Sequence, residues 1–185
     1  MSERLPNGVR LTKLETHADD RGALTEVFRS SWDTGIAPSQ WNVTVSAPGV
    51  LRGVHVHLAH TDYVTVVEGW ADVGLYDVRP TSPSHGLATV VALRGDPMDG
   101  LTIPPGVFHG LYFHERSVVL YGLSHGWDPS DDLACRWDDP DMRIPWPVRS
   151  PALSDRDAAA PTLRELLAEI GPALGGGPGS GPPAA

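Results

Sequence analysis

Between positions 43 and 123 the chain is a series of short apolar runs, rich in Val, Leu, Thr and Tyr, cut by Gly, Pro and polar turn residues. Such runs predict strands: β-branched and aromatic side chains suit a pleated, half-buried surface, and Gly and Pro end each one. The candidates are 43–45, 53–57, 63–67, 71–78, 88–93, 101–103, 110–113 and 117–123. About eight short strands predict an all-β fold of the jelly-roll barrel type. The period changes once. Over 161–170, Leu163, Leu166, Leu167 and Ile170 share one stripe, and Pro161 suits a first helical turn, which predicts a short C-terminal helix on the outside of the barrel. From 171 to 185 the string GPALGGGPGSGPPAA has little apolar surface to bury. The chain therefore divides into one folded domain, 1–170, and a flexible Gly/Pro tail, 171–185.

Composition narrows the function. A chain of 185 residues is the size of one domain, and 41% hydrophobic with 20% charged residues is a globular mix without a run long enough to span a membrane. The formal charge of −9 disfavours a nucleic-acid partner, because such a protein must neutralise phosphates. The N-terminus lacks a charged segment followed by an apolar one, and Cys135 is the sole cysteine, so no intrachain disulfide can form. Both features predict a cytoplasmic protein. Lys13 is the sole lysine.

His55 and His57 are two apart in a predicted strand, so both imidazoles point to one face. The string Gly49, five residues, His55-Val56-His57, four residues, Asp62, six residues, Gly69 resembles the first motif of the cupin superfamily, with Asp62 where a glutamate is usual. Pro104-Pro105-Gly106-Val107-Phe108-His109 resembles the second. The resemblance implies a cupin-type jelly roll whose motif residues converge inside the barrel.

A closer resemblance covers most of the chain. Asp20-Arg21-Gly22-x-x-x-Glu26, Gln40-x-Asn42-x-x-x-Ser46, Gly49-Val50-Leu51-Arg52-Gly53-x-His55 and Ile103-Pro104-Pro105-Gly106-x-x-His109-Gly110 are similar to the dTDP-4-dehydrorhamnose 3,5-epimerase family. So are Val119-Leu120-Tyr121, Arg136-Trp137-x-Asp139-Pro140-Asp141, Ile144-x-Trp146-Pro147 and Leu153-Ser154-x-x-Asp157. The resemblance implies that His55 removes a proton beside the 4-keto group of a dTDP-linked sugar, that Asp157 orients His55, and that Tyr121 returns a proton from the opposite face. The residue types suit these roles, since an imidazole accepts a proton near neutral pH and a carboxylate on its other nitrogen fixes the tautomer. It further implies that Arg21, Glu26, Gln40, Asn42, Arg52, His109 and Trp127 line the substrate site, that no cofactor is needed, and that the chain forms a homodimer which carries Arg21 and Leu24 into the neighbour's pocket.

Four positions depart from the family pattern. Leu24 stands where a phenylalanine packs on the base, Trp127 where a tyrosine is usual, and Asp62 where a lysine supports the charge on the sugar's 4-oxygen. Like charges ~4 Å apart cost about 4 kcal/mol at an effective dielectric of 20, so either Asp62 is protonated, or something cationic neutralises it, or the chemistry differs. His57 is the fourth. With His55, Asp62 and His109 it completes a three-histidine, one-carboxylate set, which gives an alternative reading: a metal-dependent cupin enzyme, oxygenase or isomerase, holding a divalent ion. An imidazole nitrogen on a metal cannot take a proton, so the two readings compete for His55. The plainer reading of His57 is a polar residue at a wet barrel mouth, and of Asp62 a solvated loop carboxylate. Asp157 could equally cap the C-terminal helix. His60, His85, His114 and His125 read as surface or loop residues. Gly122-x-Ser124-x-Gly126 has the form of a nucleophile elbow, but no helical pattern follows it.

Overall fold

Two five-stranded antiparallel sheets pack face to face in the computed structural model, which describes residues 4–175. In chain order the strands are β1 (Arg10–Lys13), β2 (Thr16–Asp19), β3 (Gly22–Thr25), β4 (Gln40–Ser46), β5 (Leu51–Val56), β6 (Asp62–Glu68), β7 (Trp70–Asp77), β8 (Ala88–Arg94), β9 (Asp99–Ile103), β10 (Val107–Phe113), β11 (Ser117–Leu123) and β12 (Leu133–Ala134). Two helices follow, α1 (Asp155–Ala158) and α2 (Leu163–Gly175). The first sheet has the order β1-β9-β6-β11-β4 and the second β12-β5-β10-β7-β8, while β2 and β3 pair only with each other.

The eight runs read from the sequence coincide with β4 to β11, apart from a few residues at their ends. The four further strands escaped because pairing rather than an apolar pattern makes them strands. All of β2 is exposed and most of β1 and β3, and β12 has two residues. The helix is longer than expected. Leu174 extends the stripe one turn past Ile170 and packs on the same apolar cluster, so 171–175 are helical rather than tail. The remainder of the expected tail, 176–185, lies outside the described residues. No helix among the described residues is long and apolar enough to cross a membrane.

Two apolar layers position the site. Val64, Val66, Val73, Leu75, Val91, Leu93, Leu101 and Val119 fill the space between the sheets. On the other side of the second sheet, Val54, Val56, Tyr76 and Phe108 pack against Leu163, Leu166 and Ile170 of α2 and against Met142 and Ile144. Alternation along β5 does the rest: Val54 and Val56 face the helix layer, so His55 between them faces the space between the sheets.

Asp77, at the end of β7, ties down the connection to β8. Its carboxylate accepts from Arg79 Nε (2.8 Å), Ser82 Oγ (2.6 Å) and Ser84 Oγ (2.5 Å) with no exposed surface of its own. Burial works against its ionised form, but the arginine and the two hydroxyls outweigh burial and hold the carboxyl at about 2. A folded value below the unfolded one of about 3.9 means stability present above pH ~4 and lost as pH falls towards 2. Asp77→Asn is therefore expected to lower stability at neutral pH by about 2 kcal/mol and to flatten its decline between pH 4 and 2, read by urea unfolding at each pH. An unchanged decline in the variant would remove Asp77 as a source of it.

Candidate active site

The Pro104-Pro105-Gly106 turn brings β10 alongside β5. Gly106 has φ +74°, and its N–H donates to the carbonyl of His57 (2.8 Å). Three residues on, His109 lies directly across from His55 in the antiparallel pair. A cavity of about 460 Å³ opens between the sheets at this level, lined by His55, His57, His60, Asp62, His109 and Tyr121 and also by Arg52, Trp127, Asp132, Arg156 and Asp157.

His55 is held by two carboxylates. Its Nε2 lies 2.8 Å from Asp157 Oδ1, and its Nδ1 lies 3.6 Å from Asp132 Oδ1. Asp157 is fixed in turn by the backbone. Its Oδ2 accepts from the N–H of Gly53 (3.3 Å), and Ser154, the N-cap of α1, accepts from its N–H (3.1 Å). Burial opposes ionisation of Asp157, but His55, the Gly53 N–H and Ser154 outweigh it and hold the carboxyl below its ordinary range. Asp132 behaves likewise: burial is outweighed by Arg156, whose Nη1 donates to it at 2.7 Å, and by His55. An ionised Asp157 can only accept, so the proton between the pair sits on Nε2 and Nδ1 is left as the basic nitrogen. Asp132 lies beside that nitrogen.

Tyr121 enters from the opposite sheet. It sits on β11 across from Asn42 of β4 and Val64 of β6, so the phenol and the His55 imidazole face the cavity from different walls.

The other histidines of the cavity, His57, His60 and His109, form a second group around Asp62. Asp62, the first residue of β6, is buried, with its Oδ2 3.6 Å from His57 Nε2 and 3.5 Å from His109 Nε2, and its Oδ1 3.6 Å from His60 Nε2. His60 stacks on His57 with ring centres 3.9 Å apart, and its Nδ1 is 2.8 Å from Asp131 Oδ2. Burial pushes His109 down to about 4 and also lowers His57. For His60 burial has the same tendency, but the Asp62 and Asp131 carboxylates outweigh it and raise the value. Asp62 lies below its ordinary range because the three imidazoles outweigh its burial.

The four-residue set His55, His57, Asp62 and His109 is thus not one cluster. His55 is turned to Asp157, and the tight group is His57, His60 and Asp62. Asp62 is no solvated loop residue, and Asp157 sits in the short α1 rather than capping the longer helix. His60 and His114 lie in loops, as read, but both are packed against neighbours. His60 is 2% exposed, and His114 stacks on Trp70 at 3.8 Å and pairs with Asp72 at 2.9 Å. His85 and His125 are exposed, and no helix follows Gly126.

Of the expected substrate contacts, Arg52, His109 and Trp127 line the cavity. Asn42 and Gln40 lie on the half-buried side of β4, joined Nε2 to Oδ1 at 3.1 Å, and Gln40 also accepts from the N–H of Trp127 (2.9 Å). Arg21 and Glu26 do not reach this cavity. Arg21 is on the exposed β2–β3 hairpin, paired with Asp19, and Glu26 pairs with Arg29. Lys13 pairs with Asp99 and does not line the cavity either. Asp131, Asp132, Arg156 and His60 were not singled out in the sequence. A signal for His60 existed in the density of the segment, where His55, His57, His60 and Asp62 fall within eight residues.

Comparison with known proteins gives the site a context. The family model described as dTDP-4-dehydrorhamnose 3,5-epimerase matches residues 5–165. The dTDP-4-dehydrorhamnose 3,5-epimerase of Mycobacterium tuberculosis is 32% identical over 164 residues, 82% of this chain and 81% of the relative. Among solved structures, NovW, a 4-keto-6-deoxy sugar epimerase from the novobiocin cluster of Streptomyces spheroides, superposes with a TM-score of 0.82 at 28% identity, covering 90% of this chain and 87% of that one. ChmJ, a 3'-monoepimerase from Streptomyces bikiniensis solved with dTDP-quinovose, gives a TM-score of 0.82 at 29% identity over 92% and 91%.

Proposed function

We propose, starting from the fact that this chain belongs to the dTDP-4-dehydrorhamnose 3,5-epimerase family, that it inverts C3, or C3 and C5, of a dTDP-linked 4-keto-6-deoxyhexose. One observation carries the assignment of roles: a carboxylate-held imidazole, His55 on Asp157, faces a phenol, Tyr121, across a cavity between two sheets. His55 Nδ1 takes the proton from the carbon beside the ketone. The C–H electron pair moves into a C=C bond and the carbonyl electrons onto oxygen as an enolate. Tyr121 then gives its hydroxyl proton to the other face of that carbon as the C=O re-forms, and exchange with water resets both groups. Asp157 holds the ring and supports the transient imidazolium. These groups move protons without a cofactor.

Arg52, held by Ser46 (Nε to Oγ, 2.8 Å), supplies positive charge for the diphosphate, with Gln40, Asn42, His109 and Trp127 as further substrate contacts. Arg21 and Glu26 complete the site from a second copy of the chain. The exposed β2–β3 hairpin and the exposed Trp41, Val43 and Val45 of edge strand β4 support a homodimer in which one protomer's hairpin reaches its partner's pocket. The lone buried Cys135 fits a cytoplasmic enzyme.

The test is solvent exchange. In D2O, dTDP-4-keto-6-deoxyglucose is expected to gain deuterium at C3, at C5 or at both, followed by mass spectrometry and proton NMR. Folded protein that places no deuterium at either carbon would end this reading.

A further inference from the structure

We propose that His57, His60 and Asp62 bind one divalent transition-metal ion beside the catalytic base. The argument is one of unmatched acceptors. The Nδ1 of His57 faces the carbonyl of Asp131 (2.9 Å), that of His60 the carboxylate of Asp131 (2.8 Å) and that of His109 the carbonyl of Val107 (3.3 Å). None of those oxygens can donate, so each ring donates from Nδ1 and turns its Nε2 to Asp62. All three Nε2 atoms point at a carboxylate, which in its ionised form is also only an acceptor.

The distances agree. At 3.5 to 3.6 Å the Asp62 contacts are too long for good hydrogen bonds. They are close to the separation of about 3.3–3.4 Å between ligands that each stand about 2.0–2.1 Å from a tetrahedral ion. His60 supplies an independent observation. Its side chain is 3% exposed and its Nε2 is buried without a hydrogen-bond partner among the described residues, an arrangement that is costly unless something binds there. The Asp131 contacts resemble the outer shell that orients metal-bound imidazoles: one loop residue fixes two rings and also accepts from the N–H groups of Leu58 (2.6 Å) and Ala59 (3.1 Å). Two imidazoles and one carboxylate suit zinc, iron(II), cobalt or nickel rather than magnesium or calcium.

The proposal removes the competition for His55, because His60 takes the place that His55 would have filled. Its functional meaning rests on the epimerase reading: a cation at Asp62 would face the negative charge that builds on the sugar's 4-oxygen, at the point where the chain has no lysine.

The metal-free full-length protein is titrated with Co²⁺, followed by its visible absorption, and with Zn²⁺ by calorimetry. One ion per chain is expected, and His60→Ala and Asp62→Asn are each expected to weaken binding by at least ~100-fold, whereas His55→Asn retains it. Thermal unfolding in chelator shows that each variant is folded, and two variants are used so that the failure of one to fold does not decide the question. No stoichiometric ion in wild-type protein, or undiminished affinity in both variants, overturns the site; an acidic proton shared by His60 and Asp62 would then be what fills it. Wild-type protein that binds the ion but exchanges no deuterium supports the site and sinks only the epimerase reading.

Discussion

His55→Asn is expected to slow deuterium incorporation into the keto sugar by about 10³-fold, within the range for loss of a positioned general base. The imidazole is held by Asp157 Oδ1 on Nε2 and lies beside Asp132 on Nδ1; asparagine overlays only the Nδ1 end of the ring, offers no basic nitrogen and does not reach Asp157. Asp157 keeps its contacts to the Gly53 N–H and to Ser154, so the fold should survive the change. Asp157→Asn is the sharper probe of mechanism. Its amide keeps a hydrogen bond but can donate to Nε2, which moves the ring proton to Nδ1, where the base has to be free. A loss of about 10²-fold or more is expected, and the double variant should be little slower than His55→Asn alone, because the two residues act as one unit. Full exchange activity in His55→Asn, with an unchanged melting temperature, would refute the assignment of the base.

Gly53→Ala should be the most damaging small substitution in the barrel. Gly53 has φ +109°, and a Cβ there would stand 2.9 Å from Gly110 Cα and 2.9 Å from the carbonyl oxygen of His109, both backbone atoms of the neighbouring strand. That strand, β10, lies between β5 and β7 and cannot withdraw from one without losing the other. The expected cost is at least ~3 kcal/mol, combining conformational strain with overpacking. The same residue donates its N–H to Asp157 and is two residues from His55, so activity should fall further than stability alone explains. Gly49→Ala is the control. Its φ is +77° but the space around it is open, so strain alone, of about 1–2 kcal/mol, is expected. Urea unfolding of the two variants side by side decides the matter: a Gly53→Ala protein no less stable than Gly49→Ala would contradict the close packing of β5 on β10.

Particular residues show how far the sequence could be read. Apolar runs over 43–123 located eight strands because several, such as β6, β7 and β9, are buried at consecutive positions and so leave continuous apolar stretches between turn residues. The two-residue spacing of His55 and His57 placed both on one face, and the turn string Pro104-Pro105-Gly106 marked where His109 returns to them. The exposed strands β1 to β3 left no such trace, since their pairing is set by a distant partner or by a turn rather than by burial.

Motif order alone assigned the family, the barrel and the pairing of His55 with Asp157, residues 102 positions apart. The partners of the other groups were decided only in three dimensions. His60 is a loop residue, as read, but the turn between β5 and β6 folds it over His57, where it meets Asp131 from 71 positions away, and Asp132 is joined by Arg156 from 24 positions away. Local periodicity fixes which side of a strand a side chain leaves from. It carries no record of where a loop turns or of which carboxylate a buried imidazole meets, because those depend on packing between segments remote in the chain.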